Sequence, residues 1–223
     1  MDGLSKRIIK KVGREGIYNT LFQIFLRVES ASFDRKYGVD THRNIPLANL
    51  DISSENVQYG RQYQPIFVKH LREILDAVKP TKLDVLVDFG SGKGRVLLVS
   101  ATYSFKKVVG VEFSDELCSI GKENVKIFQS RKQLCPIEIL CMDAGEYDIK
   151  KDETIFFFFN PFEKVIMQKV VKNIENSYLK YPRQIKIVYL NLKSQDLSAF
   201  SDIFEPVVDS NLNGLTLQIY ETK

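Results

Sequence analysis

The stretch Leu83-Asp84-Val85-Leu86-Val87-Asp88-Phe89-Gly90-Ser91-Gly92-Lys93-Gly94-Arg95 decides the reading of this 223-residue chain. A β-branched, apolar segment (Leu83 to Phe89) runs into a glycine-rich turn and then directly into a helical pattern, Arg95 to Tyr103. Glycines at such a junction let the backbone turn tightly and let a ligand touch main-chain atoms that side chains would cover. The spacing excludes two neighbouring phosphate-binding motifs. A dinucleotide fingerprint counted from Gly90 needs a third glycine where Arg95 stands, and a P-loop needs four residues between its glycines, then Lys-Ser or Lys-Thr. Asp88, two residues before the first glycine, would repel a pyrophosphate and suits an ammonium group.

Outward from this turn the chain alternates strand and helix. Lys107 to Glu112 reads as a strand, Asp115 to Phe128 as a helix and Ile137 to Met142 as a strand. Thr154 to Phe159 holds four consecutive phenylalanines, which only a strand covered on both faces would hide. Glu163 to Leu179 reads as a helix and Gln184 to Leu190 as a strand. Pro206 to Asp209 and Leu215 to Tyr220, with Ser210-Asn211-Leu212-Asn213-Gly214 between them, form a terminal antiparallel hairpin. Repeated βα units predict an α/β fold: a parallel sheet with helices on both faces, binding its ligand outside the carboxyl ends of the strands.

The residues after the next two strands are therefore informative. Glu112 ends the second strand 24 residues after Asp88, where a carboxylate accepts the two ribose hydroxyls of a nucleoside. Phe113 is placed to lie on the adenine face. Asp143, just past the third strand, is placed to accept from the adenine amino group, with the Ala144 amide near the ring. Taken singly, Glu112 reads as a solvated strand-end acid and Asp143 as a turn residue. Their occurrence in order with the glycine turn favours nucleoside binding.

Before the first strand, Tyr18, Leu21, Phe22, Phe25 and Val28 share one helical face, expected to pack over the sheet or the cofactor mouth. Asp34 to Leu50 reads as a loop, and Ile66 to Val78 as a helix that stops before Pro80. Residues 1–36 hold eight Lys or Arg against four Asp or Glu, so the whole +4 charge lies there and the rest of the chain is net neutral. Only this arm offers a field that attracts nucleic acid or an anionic membrane surface. A hydrophobic share of 44% and a charged share of 27% suit one globular core. No segment reads as a signal peptide or a membrane span, so no stable membrane insertion is expected. Cys118, Cys135 and Cys141 form no CxxC and read as scattered core thiols. Together with only two histidines, His42 and His70, they predict no metal and a reducing, cytoplasmic location.

The run from Val87 to Glu112, with Asp143 and Asn160, resembles class I S-adenosylmethionine-dependent methyltransferases. The resemblance extends from Tyr59 to the C-terminus and divides the chain into a helical extension or cap (1–58) and a methyltransferase domain (59–223). It implies S-adenosylmethionine as cofactor and a Rossmann-like, mostly parallel seven-stranded sheet whose last strand is antiparallel. Tyr37-Gly38-Val39-Asp40-Thr41, Tyr59 to Pro65, Gly90 to Arg95 and Phe158-Phe159-Asn160-Pro161-Phe162 resemble a group of small bacterial methyltransferases. Tyr63-Gln64-Pro65 and the wording Gly90-Ser91-Gly92-Lys93-Gly94 are also similar to non-SET protein-lysine methyltransferases, which implies that Tyr63 and Pro65 border the methionine end of the cofactor.

Asn160-Pro161-Phe162 stands where amino-methylating enzymes of this class carry Asn/Asp-Pro-Pro-Tyr/Phe. There a side-chain oxygen and a carbonyl accept from the attacking nitrogen and a ring covers the acceptor. One proline is missing here. The same residues also make a helix start, with Asn160 at the N-cap, Pro161 at N1 and Glu163 at N3. The resemblance implies N-methylation of an amine, in a protein lysine or a small molecule. Adenine methylation in nucleic acid and non-catalytic cofactor binding are the alternatives, and the near-neutral domain favours the amine. No general base stands out, and none is needed where the cofactor carries the activation and the protein aligns the reactants. Asn191 is a weaker candidate for the same rim or a turn residue, Tyr59 and Tyr63 line the acceptor pocket or pack the N-terminal arm, and His70 reads as a surface or packing residue of its helix.

Overall fold

The computed structural model describes residues 16–42, 63–131, 135–159, 162–190, 202–212 and 214–223. β1 (Val85–Phe89) buries all five of its residues, as a central parallel strand must. It is followed by α3 (Arg95–Ser100), after α1 (Ile17–Tyr37) and α2 (Val68–Val78). The alternation continues through β2 (Lys107–Glu112), α4 (Asp115–Arg131), β3 (Ile137–Cys141), β4 (Glu153–Phe159), α5 (Lys164–Lys180) and β5 (Lys186–Leu190). It closes with the hairpin β6 (Phe204–Leu212) and β7 (Leu215–Thr222). The seven strands lie in the order β3-β2-β1-β4-β5-β7-β6. β1 to β5 are parallel, and β7 runs antiparallel to both neighbours. The expected Rossmann-like sheet with an antiparallel last strand is what the chain forms.

The phenylalanine run explains how the sheet is filled. Successive side chains on a strand point to opposite faces. Phe157 joins the cluster under α2, α3 and α4, whereas Phe156 and Phe158 join the one under α5. All three are fully buried, and burying a side chain of this size contributes about 1.5–3 kcal/mol. The strand order reverses between β1 and β4, so the crevice at their carboxyl ends is where a ligand binds in such sheets.

Three expectations are corrected. First, α1 continues through Tyr37, so Asp34 to Tyr37 are helical and not loop. Its inward face is Thr20, Leu26, Ser30, Phe33, Asp34 and Tyr37, not the stripe from Tyr18 to Val28. That choice succeeds because the polar members find partners: Val68 N donates to Ser30 Oγ, and Asp34 accepts from Thr41. Second, α5 begins at Lys164 with Glu163 at the N-cap, so the start expected at Asn160 lies too early in the chain. Third, Cys118 and Cys141 form a disulfide, with Cα atoms 5.8 Å apart. Parallel β2–α4–β3 geometry brings the first turn of α4 beside the end of β3, a proximity that a separation of 23 residues conceals. Cys135 is free and buried. Among the described residues no helix is long and apolar enough to cross a membrane.

Candidate active site

The glycine turn is held from both sides. Gly90 and Ser91 N–H groups both donate to Val111 O on β2, at 2.9 and 3.2 Å. Glu112, 3% exposed, accepts from Gly92 N at 2.7 Å and from Ser114 N at 2.9 Å, so its carboxylate braces the turn against the end of β2. Burial raises the proton affinity of this carboxyl, and the amides that bond to its charged form oppose the rise. Gly92 has φ +53°, and a Cβ there would fall 2.3 Å from Cε2 of Tyr63. The Tyr63 ring therefore lies directly on the turn. Its hydroxyl donates to Thr41 O at 2.7 Å, burial pushes its pKa up, and Lys93 Nζ sits 5.6 Å from its centroid.

Asp88, the penultimate residue of β1, lies beneath this turn at 2% exposure. Its Oδ2 and the Oγ of Ser91 are both buried without a hydrogen-bond partner among the described residues. Burial pushes the Asp88 carboxyl well above the usual range, and the like charge of Glu112 pushes it further. A buried carboxylate without a cation is costly, and a ligand ammonium would relieve it. The donor set thus fits a group that presents a cationic amine at the turn.

Phe113 is half-buried just past β2. Asp143 caps the short 3-10 turn Ala144–Glu146 by accepting from Gly145 N at 2.8 Å, and Ala144 is buried beside it. Gly94 begins α3 in the left-handed region. Phe162 packs edge-on against Phe158, within the cluster under α5. Asn160, Pro161, Tyr59 and Asn191 lie outside the described residues. At the carboxyl end of β4, Phe159 borders a cavity of about 830 Å³. Arg95, Arg27, His70, Gln64 and Pro65 line it as well. His70 is buried and pairs with Glu73 at 3.2 Å.

A further layer was invisible in the sequence. Asp34 on α1 accepts from Thr41 N (2.7 Å) and Thr41 Oγ1 (2.6 Å), while Arg95 Nε donates to Thr41 Oγ1 (2.8 Å) and Nη1 to Ile66 O (3.1 Å). Asp40 takes Lys93 Nζ at 3.2 Å, and Asn124 joins the Asp40 and Lys93 carbonyls at 3.0 Å each. Residues 34–41 thereby clamp the far side of the glycine turn. The segment Tyr37 to Thr41 carried a family resemblance in the sequence but no role of its own.

His42, Asp34 and Asp40 stand close enough to share an ion, yet Lys93 and Arg95 already balance both carboxylates. The cluster reads as an ion-pair network.

Comparison with known proteins places this arrangement. A protein-lysine N-methyltransferase from Saccharolobus islandicus is 38% identical over 65 residues, covering 29% of this chain and 40% of that protein. The match thus spans well under half of that relative's length. An RNA methyltransferase from Salinibacter ruber, solved in complex with S-adenosyl-L-homocysteine, superposes with a TM-score of 0.54 at 20% identity, over 71% of this chain and 93% of that one. TrmN from Thermus thermophilus gives 0.56 at 12% identity, over 71% and 49%. Both share the fold. The family model described as histone methylation protein DOT1 matches residues 47–171, more than half of the chain and the whole glycine turn. The chain belongs to the DOT1 histone methylation protein family.

Proposed function

We propose that this chain is a methyltransferase, which uses S-adenosylmethionine as donor and methylates an amine nitrogen, that of a protein lysine. Asp88 is the observation that carries the donor half: a buried carboxyl whose Oδ2 has no partner among the described residues, next to a glycine turn, calls for a cationic amine there. Glu112, Phe113, Asp143 and Ala144 would hold the nucleoside. Glu112 would accept from the ribose while bracing Gly92, and Asp143 from the adenine amino group while capping its turn. Gly90, Ser91, Gly92 and Gly94 would give the backbone its close approach, with Tyr63 and Pro65 bordering the methionine end.

The bound cofactor supplies a methyl group already activated as a sulfonium, so the residues around it have only to align a nucleophile and exclude water. The aromatic walls of Tyr63 and Phe159 favour cationic groups. Arg27 at the cavity disfavours a protonated amine, which shifts an entering lysine toward its nucleophilic neutral form. Asn160 and the Pro161 carbonyl, which follow Phe159 in the sequence, would accept the N–H groups of that amine. The lysine-methylating relative supports the acceptor, and the near-neutral charge beyond residue 36 argues against nucleic acid.

The test is incubation with methyl-labelled S-adenosylmethionine and a lysate separated into protein, RNA, DNA and small molecules. Label recovered from protein as N-methylated lysine supports the reading. Label confined to nucleic acid or to small molecules would replace the acceptor while leaving the donor half standing.

A further inference from the structure

Helix α1 carries its largest apolar side chains on the outside. Ile17, Tyr18, Leu21, Ile24, Phe25 and Val28 are between 39% and 78% exposed, and their spacing lines them up along one face. An apolar stripe of this size marks an interaction surface. The charges around it are one-sided. Continuing the same face, the helix presents Ser32 and Arg35, with Lys36 beside them. The acids of the helix turn elsewhere: Glu29 pairs with Arg72 at 2.7 Å, and Asp34 is buried against Thr41. Ahead of the helix, residues 1–15 contain five basic side chains against two acidic ones. In the sequence, basic residues therefore stand on both sides of the apolar stripe.

A second copy of this chain docked on the stripe would bring those cations together. An uncharged groove on another protein would leave them unused. An anionic phospholipid surface takes both features, with large apolar residues at the acyl boundary and Lys and Arg against the headgroups. We propose that α1 lies flat on an anionic membrane surface. Because Arg27 and Val28 also line the cavity beside Phe159, this orientation holds the cavity mouth next to the membrane plane. Membrane binding of this kind does not depend on which amine is methylated.

The experiment is co-sedimentation of the full-length protein with vesicles of phosphatidylcholine alone or mixed with phosphatidylglycerol. Binding is expected only with phosphatidylglycerol, weakening as salt rises. Leu21→Glu with Phe25→Glu should lower the partition coefficient by about tenfold or more, since each position loses its apolar anchor. Both sites are exposed, so the melting temperature and S-adenosylhomocysteine affinity of the variant should match the parent. Arg35→Glu with Lys36→Glu should weaken binding without touching the stripe. Vesicle binding that is absent, indifferent to phosphatidylglycerol or unchanged in the first variant would overturn the proposal. So would a parent dimer that the first variant converts to monomer without affecting lipid binding.

Discussion

The ring of Tyr63 covers the α-carbon of Gly92 so closely that a methyl group there would sit 2.3 Å from Cε2 and 2.4 Å from Cδ2. The ring cannot swing away freely, because its hydroxyl is tied to Thr41 O and Lys93 sits over its face. Gly92→Ala should therefore cost about 1–2 kcal/mol for the left-handed backbone and about 1–3 kcal/mol more for overpacking. In denaturant titrations, adding Tyr63→Ala should remove the packing part, making the pair less than additive. Strict additivity would mean that the ring and the glycine do not constrain each other.

Asp88→Asn separates stability from binding. Burial and Glu112 raise the folded pKa of Asp88 above its unfolded value. Its stabilising contribution thus belongs to the protonated form, is complete below the ordinary carboxylate pKa, and is lost as pH rises through the folded value. Asparagine mimics the protonated form. At neutral pH the ligand-free variant should be more stable than the parent, since it carries no buried charge to desolvate. The advantage should vanish in melts at low pH. Affinity for S-adenosylmethionine should fall by about 1.5–3 kcal/mol, the worth of a bond to a charged partner. A variant that is less stable and binds as before would remove Asp88 from the cofactor site.

Asn160→Ser tests the acceptor side. With Glu163 at the N-cap of α5, Asn160 does not cap that helix, so the variant should melt within about 0.5 kcal/mol of the parent, as an ordinary substitution does. Turnover on the labelled acceptor should drop while cofactor affinity holds. Full turnover would take Asn160 out of the chemistry.

How far the sequence could be read depended on the range of the interactions. The strands and the glycine turn were legible because their signals are local: β-branched runs, Gly90-Ser91-Gly92, and acids at strand ends. The clamp of Asp34, Thr41 and Arg95 was not, since its partners lie up to 61 residues apart and each residue alone looks like an ordinary solvated side chain; Arg95 and Thr41 by themselves are separated by 54. Periodicity showed that α1 has an apolar stripe but not what covers it. The rival face, Leu26, Phe33 and Tyr37, has the same spacing, and long-range partners for Ser30 and Asp34 decide between them. The Asn160 cap failed because one proline and a glutamate at the right spacing suggested a start that the backbone makes only at Lys164.

The Cys118–Cys141 bond gives a direct chemical readout. Alkylation of the denatured, unreduced protein should modify one cysteine, Cys135, and reduction should expose three. Closing a loop of this length constrains the unfolded chain, so reduction should cost about 3 kcal/mol of stability. Three reactive thiols without reductant would show that the bond does not form under those conditions.

Calorimetric titration with S-adenosylhomocysteine, run beside NAD, tests the central claim that the turn from Asp88 to Arg95 holds an adenosyl amino acid. The predicted result is saturable binding of S-adenosylhomocysteine, weakened in Asp88→Asn and in Glu112→Ala, with no heat from NAD. Binding of NAD without S-adenosylhomocysteine would contradict it.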